Sequence, residues 1–155
     1  MTIEVELQIA SDVKTLPHPS QFREWVSATL WGRVETGEMV IRIVDEEEGT
    51  ELNEQYRHKK GPTNVLSFPY QPTPGIASRY LGDIIICAPI VQTEADKYNK
   101  PILGYWAHMV VHGTLHLMGY DHEQKNDAEE MEALETNILI NLGFPPPYGE
   151  AIIHD

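Results

Sequence analysis

The sequence predicts an α/β (α+β) fold: one compact domain in which about four strands form a mixed sheet packed with about five helices. Three observations lead there. The chain has 155 residues, enough for one core. Short stretches of alternating or continuous apolar character are interleaved with stretches of helical periodicity. No internal repeat, low-complexity tract or linker divides the chain, so residues 1–155 are expected to form a single domain, with an irregular tail from about residue 145.

Ile3, Val5, Leu7 and Ile9 alternate with polar residues and predict a half-buried strand. Phe22, Trp25, Val26, Thr29 and Leu30 recur at helical spacing, with Pro19-Ser20 as the expected cap. Val40 to Val44 is a second short strand, and a short acidic helix is expected over Glu51 to Tyr56, with Leu52 and Tyr56 on its inner face. Gly61-Pro62 breaks the chain before a third strand at Val65–Phe68, stopped by Pro69. Leu81 to Cys87 is an almost continuous apolar run, as in a strand covered on both faces. Pro89 suits the first turn of a helix reaching about Tyr98.

Two longer helices follow. One runs from about Ile102 to Met118 and stops at Gly119, a residue suited to a left-handed helix end. The other starts at Asn126, with Glu129 three residues on as a capping-box variant. Met131, Leu134, Ile138 and Leu142 form its apolar stripe, and Gly143 ends it. Strand order is not readable from these patterns.

Composition narrows the function. Hydrophobic residues make up 41% of the chain, and no run of about 18 apolar residues can cross a membrane. The first residues are acidic where a secretory signal would be basic. The single cysteine, Cys87, cannot form an internal disulfide and lies in an apolar run, which fits a buried thiol in a reducing, cytoplasmic setting. A net charge of −13 opposes a polyanion, so any nucleic-acid contact must come from a local patch. The only tight basic cluster is Arg57, Lys59 and Lys60, just after the acid-rich Asp45–Glu54 stretch.

The chemistry lies in the spacing H-x3-H-x2-G-x2-H, formed by His112, His116, Gly119 and His122. Residues i and i+4 share a helix face, about 6 Å apart along the axis, so His112 and His116 can face one ion. A third ligand further along a straight helix would be out of reach. Gly119 permits the positive φ that turns the chain back and returns His122 to the first two. Three neutral imidazoles leave one tetrahedral position for water, the mark of catalytic rather than structural zinc. His108 shares the face but stands about 12 Å of helix rise from His116, too far to join the same ion, and is expected to pack beside the site. Asp121 is expected either to orient an imidazole or to serve the turn. His18 and His154 carry no argument.

This spacing resembles that of the metzincin zinc peptidases, except that Gly113 stands where those enzymes carry the glutamate general base. Four ordered blocks instead resemble the YbeY family of metal-dependent bacterial endoribonucleases: Tyr56-Arg57 with Pro62–Pro69, Leu81–Ile84, Trp106–Val111 and His112–His122. The match as a whole runs in order over about residues 40 to 144. The resemblance implies one zinc ion per chain on His112, His116 and His122, with Arg57 beside it as the phosphate-binding catalytic partner. It also implies single-stranded RNA as substrate, in maturation of the 16S ribosomal RNA 3′ end and ribosome quality control, with the small subunit and its proteins as partners. DNA and membranes are not expected as partners.

Two departures from the family pattern stand out. Lys60 replaces a common acid and Asn64 a common aspartate, and both are expected to make the loop more positive. Imidazole ligands also suit nickel, copper or iron, and neither the proton acceptor nor the oligomeric state is written in the sequence. Two rival readings remain: a zinc peptidase or amidase, disfavoured by Gly113, and a non-catalytic, zinc-stabilised ribosome assembly factor.

Overall fold

Among the described residues, five helices and four strands follow one another as β1 (Thr2–Ala10), α1 (Pro19–Leu30), β2 (Thr36–Val44), α2 (Glu46–Arg57), β3 (Val65–Pro69), β4 (Tyr80–Cys87), α3 (Ala88–Lys97), α4 (Ile102–Leu117) and α5 (Lys125–Asn141) in a computed structural model. The structure describes residues 1–148; the remainder of the expected irregular tail, with His154, lies outside the described residues. The sheet order is β1-β2-β4-β3. β1 pairs parallel to β2 and β2 parallel to β4, while β3 runs antiparallel to β4 along one edge.

The side-chain alternation of β4 divides the core. Ile84 and Ile86 join Met39, Ile41 and Ile43 of β2 beneath α1 and α4, in the larger core. Ile85 and Cys87 point to the other face, where they meet Val44, Leu66 and, from α2, Leu52. Each fully buried isoleucine here contributes about 1.5–3 kcal/mol by leaving water. α4 is the central element: Tyr105 to Leu115 is buried without interruption, as expected of a helix that is apolar all round. Phe22 and Trp106 meet edge-to-face at 5.8 Å between α1 and α4.

Several boundaries differ from the sequence reading. The cap of α1 is His18, whose ring accepts from the Ser20 amide while the Gln21 side-chain oxygen accepts from the His18 backbone amide. α2 begins at Glu46, five residues earlier than expected. Glu46, Glu47 and Glu48 in its first turn complement the positive end of the helix dipole, so an acid run that reads as loop is favourable helix. Its buried residues are Gly49 and Asn53, and Tyr56 is 55% exposed rather than inward, its ring meeting that of Phe68 edge-on. α5 starts at Lys125, which puts Asn126 inside the helix where it cannot cap; no side chain caps this helix.

Candidate metal centre

α4 ends in a Schellman motif. The Tyr120 amide donates to the Leu115 carbonyl at 3.1 Å and the Gly119 amide to His116 at 3.0 Å, with Gly119 at φ +95°. That turn brings His122 back over the helix end. The ring of His122 lies 5.6 Å from that of His112 and 5.1 Å from that of His116, centre to centre. One nitrogen of each imidazole lies within 4.8 Å of those of the other two. The Nε2 atoms of His112 and His116 are 3.1 Å apart. Two nitrogens bound tetrahedrally at zinc distances would be separated by about 3.3 Å. The three imidazoles therefore fit an ion: His112 is buried, His116 half-buried and His122 exposed, so the trio opens outward. Asp121 serves the turn, accepting from the His122 backbone amide at 2.7 Å.

Behind His112 stands a residue that the sequence reading missed. Glu135 of α5 has no solvent exposure. One of its carboxylate oxygens accepts from His112 Nδ1 at 2.5 Å, the other from His108 Nε2 at 3.0 Å and from the Tyr148 hydroxyl. Burial alone would push this carboxyl up, but the hydrogen bonds and charges of His108 and His112 override it and hold Glu135 down at about 2. The signal was present in the sequence: a glutamate stands in the apolar stripe of α5, four residues after Met131 and three before Ile138, both buried. His108 is a packed neighbour of the site, as expected from its helix rise.

Gly113 faces the sheet. A Cβ there would lie 3.0 Å from two carbons of Ile84 and 3.2 Å from the Ser67 hydroxyl, which itself donates to the Gly113 carbonyl. The position that carries a glutamate in metzincins is thus a tight helix–sheet contact here, where even a Cβ would force Ile84 and Ser67 to shift.

The histidines open into a cleft of about 560 Å³ that is also lined by Arg57, Lys59 and Lys60. The basic loop is held from below by Asn53, which is buried. Its amide donates to the Gly61 carbonyl at 2.8 Å, and its own carbonyl receives the amide of His58, a left-handed residue at φ +57°. Among the described residues, Arg57, Lys59 and Lys60 make no ion pair. Asn64 corrects an expectation. It does not line the cleft but is buried, its amide donating to Glu94 at 2.9 Å and its side-chain oxygen accepting from the Val65 amide. The loop gains no phosphate-facing charge from this position, whereas Lys60 does face the cleft.

No helix among the described residues is long and apolar enough to cross a membrane. A family model described as endoribonuclease YbeY matches residues 7–143. The chain is also similar to the solution structure of TM1509 from Thermotoga maritima: 25% identical, with a TM-score of 0.58, over 93% of this chain and 99% of that one.

Proposed function

The chain belongs to the YbeY endoribonuclease family, and from that premise we propose that it is a zinc-dependent, single-strand-specific endoribonuclease whose ion is held by His112, His116 and His122. The observation that carries this reading is the convergence of three imidazoles in the same cleft as Arg57, Lys59 and Lys60. Membership supports RNA hydrolysis in ribosomal RNA processing. The finer assignment is the 3′ end of 16S ribosomal RNA, with a role in ribosome quality control, the small subunit as partner and the cytoplasm as the setting.

Zinc in such a site supplies water that ionises near neutral pH. The rest falls to the chain. Arg57 offers a guanidinium fork to the non-bridging phosphate oxygens, where charge builds as the ester breaks. Lys59 and Lys60 act as point charges on the flanking backbone, offsetting the repulsion of a chain with net charge −13. Of the carboxylates lining the cleft, Asp121 is engaged with the His122 amide. Glu123, the second oxygen of Asp121 and the RNA's own phosphate oxygens are left as proton acceptors.

The test is metal content by mass spectrometry, with cleavage of labelled single-stranded and duplex RNA and of casein. About one zinc per chain, lost in His112→Ala, His116→Ala and His122→Ala together with cleavage of single strands, is the expected result. Wild-type cleavage by His116→Ala would refute it. A second reading, a non-catalytic assembly factor, is favoured by the acid surplus, which complements basic ribosomal proteins. It would lead if wild type bound ribosomes without cutting RNA.

A further inference from the structure

We infer that Glu135 is a positioning residue that holds His112 and His108 in opposite tautomers, so that His112 turns an unprotonated Nε2 toward His116 and His122. The proposal rests on the ion site assigned above and adds the residue that prepares it.

The argument is one of proton accounting. An ionised carboxylate only accepts, so each nitrogen facing Glu135 must carry a hydrogen. His112 meets it through Nδ1 and His108 through Nε2. The neutral His112 ring then has its proton on Nδ1 and a lone pair on Nε2, the atom 3.1 Å from His116 Nε2. A free neutral histidine prefers the proton on Nε2, which would block this ligand atom. The hydrogen bond at the far nitrogen selects the tautomer that binds.

Two further observations support the assignment. Glu135 occupies a core position of α5, where a carboxylate costs several kcal/mol unless fully hydrogen-bonded, and all its bonds go to His112, His108 and Tyr148. His108, His112 and Glu135 also lie close enough together to suggest a second ion site. The 2.5 Å between His112 Nδ1 and the carboxylate oxygen suits a shared proton. It is too short for two ligand atoms each about 2.0–2.2 Å from one zinc.

The experiment reads tautomers directly, by long-range ¹H–¹⁵N correlation of the imidazoles in metal-free wild type at pH 8.5. His112 protonated at Nδ1 and His108 at Nε2 is the expected result, and His112 protonated at Nε2 would overturn the proposal. Because no metal is needed, this outcome stands apart from the ion site, which fails if wild type takes up no zinc. In parallel, Glu135→Gln should bind zinc 10- to 100-fold more weakly in competition with a chromophoric chelator. Unchanged zinc affinity in a folded Glu135→Gln would also overturn the proposal. If that variant does not fold, the wild-type tautomers decide.

Discussion

The side-chain amide of Asn64 and the hydroxyl of Tyr105 donate to the same carboxylate oxygen of Glu94, at 2.9 and 2.8 Å. This junction ties the start of β3 to α3 and α4, and it gives the amide at position 64 a structural role. Asn64→Asp would set two carboxylates against each other in a buried place. The variant is expected to lose about 1–3 kcal/mol of stability at pH 8. The loss should shrink toward pH 5, where a proton shared between the two acids restores a hydrogen bond. Urea unfolding at both pH values measures it, and equal stability of variant and wild type at pH 8 would contradict the junction's role.

Gly113 yields the second prediction. Gly113→Glu restores the metzincin spelling without the metzincin geometry, because its side chain would be driven against Ile84 and Ser67. Overpacking and a desolvated carboxylate together should cost more than about 2 kcal/mol. No peptide hydrolysis should appear. Thermal melting beside a fluorogenic peptide assay tests both parts, and a stable variant that cleaves peptide would show that the space is larger than the contacts allow.

The parts of this molecule legible in the sequence are those set by local rules. Gly119 announced the turn that returns His122, because a positive φ is a property of one residue. The i, i+4 spacing announced the shared face of His112 and His116. What was not legible came from tertiary partners. Glu135 looked like one acid of a charged helix until α5 was laid against α4. Asn64 looked like a loop residue, yet it is tied down by Glu94, thirty residues away in the chain. Asn53 gave no sign that its amide would fix the basic loop at Gly61. The start of α2 was misjudged for another reason: an acid run has weak helix character by apolar pattern and good character by dipole.

Cys87 should be inert. It is 2% exposed at the end of β4, and burial, reinforced by the negative charges of Glu46 and Asp45, pushes its thiol up to about 11. At pH 8 only about one thiol in a thousand would be ionised, even where reagent could reach it. Iodoacetamide is expected to leave the native protein unmodified while labelling it fully in urea, as read by intact mass. Rapid labelling of the native protein would mean that β4 and α2 part readily.

The basic loop should separate chemistry from binding. Arg57→Ala removes the group that meets charge only as it develops, so kcat is expected to fall about a hundredfold with little change in KM. Lys59→Ala and Lys60→Ala instead remove contacts present in substrate and transition state alike, so KM should rise while kcat holds. Each lysine that touches a phosphate should also flatten the dependence of log affinity on log salt by about 0.7 for a single strand. The measurement is steady-state cleavage of a labelled single-stranded RNA at several salt concentrations, with binding followed separately on the His116→Ala protein. The lysines and Arg57 line one cleft, so if they merely solvate the loop, the lysine variants will show unchanged KM and an unchanged salt slope. If Arg57 acts as a third anchor rather than on the reacting phosphate, its variant will resemble the lysine variants, with KM rather than kcat bearing the loss.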